Sequence, residues 1–188
     1  MNGRVVILSA PSGSGKTTIV RELLERIPEL RFSISATTRQ KRASEIDGLD
    51  YYFLTKEDFQ EKIKTNQLLE WEEVYEGIWY GTLNAEIQRI WDEGNHIIFD
   101  VDVRGGINLK KLFQNKALSI FIKVANAVVL RERLKKRDTE SEYSLQMRVE
   151  KALLEMEKEK DFDEVILNED LRTAIEEAEI LIRKFIKA

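Results

Sequence analysis

Apolar and polar positions along the chain alternate between two periodicities. Residues 4–9 form a continuous β-branched and apolar run, the pattern of a strand buried on both faces of a parallel sheet. A Gly/Ser-rich turn follows. Residues 17–26 then carry Ile19, Leu23 and Leu24 at helical spacing, and Pro28, which has no N–H to donate, ends that helix. Residues 96–101 and 118–124 read as two more short strands, leading into helical stretches at 106–113 and 126–137. Residues 140–160 form a long charged helix with Leu145, Val149, Leu153 and Met156 on one stripe. Residues 165–167 make a last short strand, and 170–188 an amphipathic helix carrying Leu171, Ile175, Ala178 and Ile182. Strands alternating with helices predict an α/β fold, a parallel sheet flanked by helices.

Residues 32–82 break that rhythm. Tyr51-Tyr52-Phe53-Leu54, Leu68-Leu69-Glu70-Trp71 and Ile78-Trp79-Tyr80 are aromatic-rich strand candidates of the antiparallel sort. A helix over 56–66 sits among them, with Thr55 as N-cap and Asp58 as its partner three residues on. This stretch is expected to form an α+β subdomain inserted into a single domain of 188 residues, whose core is 1–31, 83–125 and 162–188.

Composition narrows the chemistry. With 43% hydrophobic and 34% charged residues the chain can bury a core. Its apolar runs fall far short of the ~18 residues that span a bilayer. Residues 1–4 lead directly into the first strand without a signal-peptide-like segment, so a cytoplasmic location away from membranes is expected. The absence of Cys excludes disulfides, thiol nucleophiles and Cys-type zinc sites, and a lone His96 argues against a His metal site or a Ser-His triad.

The segment Ala10-Pro11-Ser12-Gly13-Ser14-Gly15-Lys16-Thr17 lies between the first strand and the first helix. It follows the phosphate-loop recipe. Glycines let backbone N–H groups point inward, Lys reaches the β- and γ-phosphates, the Ser/Thr hydroxyl takes Mg²⁺, and the helix N-terminus adds its positive end. Ala10 stands where the consensus has Gly, which is tolerable if its φ is negative. Residues 10–18, from Ala10 to Thr18, are therefore the expected nucleoside-triphosphate site.

A second constellation runs from Ser33 to Phe53. Ser35, Thr37, Thr38, Arg39, Arg42, Glu45, Gly48 and Tyr51 match, in spacing, S-x-T-T-R-x-x-R-x-x-E-x-x-G-x-x-Y, and here the sequence resembles guanylate kinase. The resemblance continues through Leu69-Glu70-Trp71, Tyr80-Gly81-Thr82, Asp100-Val101-Asp102, the stretch from Arg133 to Arg137, Arg148 and Asn168, so it spans nearly the whole chain. It implies a P-loop NTPase-type fold in which the insert binds GMP and residues 126–161 form a helical lid. It also implies Mg²⁺-dependent, reversible transfer of the ATP γ-phosphoryl group to GMP. Arg39, Arg42, Tyr51 and Tyr80 would then grip the GMP phosphate, with Glu45 in the same signature. Glu70, Ser35, Thr82 and Asp102 would read guanine. Asn168 would contact the adenine, and Thr17 and Asp100 would hold Mg²⁺ through water. Lys16, Arg39, Arg133, Arg137 and Arg148 would surround the transferring group. The family's R-G-T after the lid helix reads Arg137-Asp138-Thr139 here.

Without the family, several of these residues have plainer readings. Glu70 alone could be a solvent-facing strand carboxylate, and an Asp at a strand end often caps a helix. Tail acids such as Glu155, Glu157 and Glu159 read as a solvated helix face. Trp71 and Trp79 look like structural aromatics.

Charge distribution supports an anion-binding role despite a net charge of −4. Residues 31–42 carry a local +4, residues 129–137 another +4, and the tail 150–188, with 12 acids and 7 bases, carries −5. Two basic clusters in a near-neutral frame suit a small polyanion better than a nucleic acid. No general base or His is needed when the acceptor is a phosphate oxygen already deprotonated at neutral pH. Other classes to separate are a monophosphate kinase with another acceptor base and a non-enzymatic guanylate kinase-like scaffold that binds phosphopeptides. The assembly expected is a monomer or a homodimer.

Overall fold

The computed structural model describes residues 3–135 and 142–188. In chain order its elements are β1 (Val5–Ser9), α1 (Lys16–Arg26), β2 (Leu30–Phe32), β3 (Ser35–Thr37), β4 (Tyr52–Phe53), α2 (Lys56–Lys64), β5 (Leu68–Tyr75), β6 (Ile78–Leu83) and α3 (Asn84–Asp92). Then come β7 (His96–Val101), α4 (Val103–Phe113), β8 (Ala117–Lys123), α5 (Ala127–Lys135), α6 (Glu142–Met156), β9 (Glu164–Leu167) and α7 (Leu171–Lys187). Short 3₁₀ turns precede β8 and β9.

The main sheet is parallel, in the order β2-β7-β1-β8-β9. Every residue of β1 is buried, and its alternating side chains feed two cores. Val6 and Leu8 join Ile98, Ile120 and Ile166 beneath α1 and α7 through Ile19, Leu23, Ala174 and Ile182. Val5 and Ile7 join Ile97 and Phe99 beneath α3 and α4 through Ile87, Ile90 and Leu109. That double burial is why 4–9 reads as unbroken apolar sequence rather than alternation. A third cluster, including Leu130, Leu134, Leu145 and Val149, packs α5 against α6.

The second sheet, in the order β4-β3-β6-β5, occupies the stretch where the rhythm changes. β3 and β5 flank β6 antiparallel, as the aromatic pattern predicts. β4 departs from the expectation: it is two residues long and runs parallel to β3. A long connection separates the two strands, so no tight hairpin constrains them to be antiparallel. The sheet's rear face packs Ala36, Leu68 and Trp79 against Phe59 of α2. Thr55 caps α2 as predicted, its Oγ1 accepting from the Asp58 amide at 3.0 Å and donating to the Asp58 carboxylate at 2.7 Å.

β2, β3 and α3 have no counterpart in the sequence reading. The first two are only three residues long, too short to show a period. His96 is structural: its Nδ1 accepts from the Arg4 amide at 3.0 Å, and burial holds its pKa down. Among the described residues no helix is long and apolar enough to cross a membrane.

Helix α4 lies close enough to β1 that a Cβ on Gly106 would meet Ser9 Cβ at 2.9 Å and Phe162 at 3.0 Å. Gly106→Ala is expected to destabilise the protein by about 1–3 kcal/mol through overpacking, measured by urea unfolding.

Candidate active site

β1 runs straight into residues 10–15, where Gly13 and Gly15 take φ of 90° and 86°, the left-handed region that glycine adopts without penalty. Ser14 closes the loop on itself, its amide and hydroxyl both donating to the Pro11 carbonyl at 3.2 and 2.8 Å. Ala10 is buried and has no positive φ, so Ala in place of the consensus Gly adds no strain. Lys16 opens α1, forms an ion pair with Asp100 and donates to the Val101 carbonyl. Thr17 Oγ1 donates to Asp100 Oδ2 at 2.9 Å. This meeting follows from register: β1 and β7 pair in parallel with Leu8 opposite Asp100, so the loop and Asp100 leave adjacent strands at the same carboxyl edge. Thr18 is exposed on α1 and is not part of the cleft lining.

Asp102 caps α4, accepting from the Gly105 amide at 2.7 Å. The capping alternative for a strand-end aspartate is therefore realised at Asp102 rather than Asp100. Asp102 nevertheless lines the cleft.

A cleft of about 1050 Å³ extends from the loop to the front face of the second sheet. Strand register assembles that face: Ser35 lies opposite Thr82, and Thr82 opposite Glu70, one row across three strands. Thr82 is fully buried and donates to Glu70 Oε1 at 2.8 Å. Burial pushes the Glu70 carboxyl up to about 7, the Thr82 hydroxyl pulls against that rise, and the charges of Asp102 and Glu72 add to it. Glu70 is thus no solvated strand carboxylate; it is a desolvated acceptor facing a cavity.

Arg39 donates bidentately to Glu45 at 3.0 and 2.8 Å and through Nε to the Tyr80 hydroxyl at 3.2 Å. Its guanidinium lies over the Tyr51 and Phe53 rings at 5.3 and 5.6 Å. Glu45 also accepts from the Arg42 amide at 2.8 Å, and these hydrogen bonds from Arg39, with that amide, hold its carboxyl below the usual range. Glu45 therefore fixes Arg39 and the turn bearing Arg42. Burial pushes the Tyr51 hydroxyl up to about 12, so it stays protonated and able to donate. Arg42, Tyr51 and Tyr80 line the cleft. Arg31, counted in the same basic cluster, instead donates to the Pro28 and Leu30 carbonyls.

Two more arginines reach the loop from the other side. Arg133 of α5 donates to the Ser14 carbonyl at 3.4 Å and the Asn168 carbonyl at 3.0 Å. Arg148 of α6 donates to Ser12 Oγ at 3.0 Å. Asn168 is buried, its Nδ2 donating to the Ser14 carbonyl at 2.7 Å and its Oδ1 without a hydrogen-bond partner among the described residues. Arg137, with Asp138 and Thr139, lies outside the described residues.

The helix carrying the tail acids is not uniformly solvated. Glu155 lines the cleft half-buried, and desolvation pushes its carboxyl up. Glu159 pairs with Lys123 at 2.7 Å. Charge pattern could not reveal this, because the contacts come from distant elements. Glu72 and Lys151, also in the lining, escaped notice for the same reason. The one available signal for Glu72 was its spacing, two residues after Glu70 on a strand and so on the same face.

The donors near Lys16 suit a hard divalent cation. A hydroxyl and one carboxylate are all oxygen, and no group of three or more acidic or imidazole side chains surrounds a point among the described residues. That matches Mg²⁺, which keeps most of its waters and takes its remaining ligands from phosphates.

A guanylate kinase family model matches residues 2–185. The chain belongs to the guanylate kinase family. It is 45% identical over 184 residues to guanylate kinase of Chlorobium luteolum, covering 98% of this chain and 93% of that protein. To guanylate kinase of Salinibacter ruber it is 43% identical, covering 98% and 97%. The crystal structure of guanylate kinase from Anaplasma phagocytophilum superimposes with a TM-score of 0.79 at 26% identity, over 99% of this chain and 87% of that one. A shikimate kinase from Bacteroides thetaiotaomicron, at 14% identity and a TM-score of 0.52, shares the P-loop fold alone. As in other members of the guanylate kinase family, the chain is a P-loop NTPase-type kinase.

Desolvation of Glu70 has a stability consequence. Its folded pKa, about 7, lies above the ordinary 4.5, so the folded state holds a proton that the unfolded state releases between those values. Stability attributable to Glu70 therefore falls as pH rises from 4.5 to 7, by up to about 3 kcal/mol, and is level above that. Glu70→Gln is expected to be more stable than the parent at pH 8 by about 1–3 kcal/mol, with the difference shrinking towards pH 4.5 in urea titrations.

Proposed function

We propose that the chain transfers the γ-phosphoryl group of ATP to GMP, reversibly, giving ADP and GDP, with Mg²⁺ as the metal. The observation that carries this reading is a single cleft with the phosphate loop at one end and Glu70, backed by Thr82 and Ser35, at the other. Family membership supports the same reaction.

The acceptor assignment rests on chemistry. Guanine presents N1–H and N2–H₂ donors side by side, and a carboxylate supplies two acceptors in that geometry. Adenine offers no such pair and would leave the Glu70 charge buried and unmatched. Ser35, Thr82 and Asp102 complete the base site, and Arg39, Arg42, Tyr51 and Tyr80 take the 5′-phosphate. Glu45 supports this grip by holding Arg39 in a fixed fork.

ATP is assigned to residues 10–18, with the loop amides and the α1 N-terminus on its phosphates and Asn168, whose Oδ1 is an unused acceptor, on the adenine side. Thr17 and Asp100 are the residues that would hold Mg²⁺, which when bound neutralises phosphate charge. Lys16, Arg39, Arg133, Arg137 and Arg148 supply the remaining positive charge around the transferring group. The acceptor oxygen needs no general base. Catalysis is alignment of two phosphate tails and suppression of their repulsion, within walls that exclude water. The division into core, GMP-binding insert 32–82 and lid 126–161 accounts for how those walls form.

In a coupled assay of ADP formation, GMP should be used in preference to AMP, CMP and UMP. Glu70→Gln should reduce kcat/KM for GMP by about 10–100-fold while leaving the KM for ATP within about twofold. Equal loss for both substrates would defeat the guanine-reading role. Lys16→Ala should lower kcat by about 10²–10³-fold or more with GMP binding retained in calorimetry; turnover near the parent rate would remove the loop from the mechanism.

A further inference from the structure

Helix α6 touches both the phosphate loop and strand β5. Arg148 meets Ser12 of the phosphate loop at 3.0 Å. Three residues on, and so on the same side of the helix, Lys151 Nζ lies 5.1 Å from the centre of the Tyr75 ring on β5. Ala152 and Glu155 continue this cleft-facing surface, and Lys151 Nζ is 3.8 Å from the Glu155 carboxylate.

β5 is the strand that carries Glu70. Between Glu70 and Tyr75, Glu72 faces the cleft from the same side of the sheet as Glu70. One Glu72 oxygen pairs with Arg104 of α4 at 2.8 Å; the other is buried and has no hydrogen-bond partner among the described residues. Burial and the charge of Asp102 push the Glu72 carboxyl up, while the charges of Arg104 and Lys151 draw it down. Lys151 therefore stands where an aromatic face and an under-satisfied carboxylate both favour a cation.

Resting on the ATP-to-GMP reading, we propose that Lys151 is a positioning residue for the transfer. It ties α6 to strand β5, so that occupation of the Glu70 site and the placement of Arg148 on the phosphate loop are coupled through one turn of helix. The side chain does not touch the reacting atoms. Its role is to make the acceptor-binding strand and the loop-contacting helix move as one, with Tyr75 as the face it rests on and the charge of Glu72 attracting it through space. Arg104 of α4 pairs with the same carboxylate.

The test is kinetics with ATP and GMP on the full chain, together with melting temperatures, for K151M, K151R, Y75L and the double variant K151M/Y75L. Lys151 is about half exposed, so the melting temperatures should stay at the parent value. K151M should lower kcat about five- to tenfold with much smaller changes in either KM, because ground-state binding of each nucleotide alone is untouched. K151R, which keeps the cation over the ring, should recover kcat to within about twofold. Y75L should resemble K151M, and the double variant should be no worse than either single one. A kcat within twofold of the parent for K151M, equal impairment in K151R, or additive losses in the double variant would each overturn the proposal. Failure of the underlying reading would look different: the parent protein itself would not phosphorylate GMP.

Discussion

Every group assigned to the reaction depends on the burial of β1 between two helical layers. A strand with no exposed residue cannot shift its register or tilt without opening both cores, so the point at which it ends is fixed in space. The phosphate loop begins at that point. Its neighbours β7 and β8 are held in parallel register with it, and the β7 pairing brings Asp100 to the same edge, where Thr17 and Lys16 both contact it. The apolar residues Val5 to Leu8 are therefore as much a condition of phosphate binding as the glycines that follow. Gly106, by letting α4 approach Ser9, belongs to the same constraint.

The second organising fact is electrostatic. The cleft must accept two polyanions, yet its walls carry Glu70, Glu72, Asp100, Asp102 and Glu155. The acids are not idle. Glu45 holds Arg39 in a fork, Asp100 holds Lys16 beside the loop, and Glu72 holds Arg104. Cations so held lose little further freedom when a phosphate arrives, which is the physical content of preorganisation. Glu70 is different. Among the described residues no cation pairs with it; its neighbours are a hydroxyl and other acids, and burial raises its pKa. In the proposed reading, the adjacent N–H donors of the acceptor base offset the stability it costs.

Most of the main sheet was legible because its strands are long enough and apolar enough to show a period, and because the phosphate loop is a local motif. The direction of β4 and the alignment of Ser35, Thr82 and Glu70 in one row were not, for a physical reason: both exist only through pairing between strands far apart in the chain. Spacing within the signature identifies Arg39, Arg42 and Glu45 as a group, but the bidentate Arg39–Glu45 contact appears only in three dimensions. Glu155 shows the opposite failure. A charge run on a helix reads as solvated, and only the packing of α6 over the cleft makes one of its acids half-buried.

The net charge of −4 and the proposed function are reconciled by where the charge sits. Excess acid lies in the C-terminal stretch, spread from α6 through β9 to α7, where Glu176 and Glu179 pair along α7 with Arg172 and Arg183. The cations that matter reach inward from four separate segments: the loop, the insert, α5 and α6. A protein that gathered them in one surface patch would attract any polyanion. Distributing them over elements that converge at the cleft concentrates positive charge where the proposed nucleotides would enter, while the chain as a whole stays acidic.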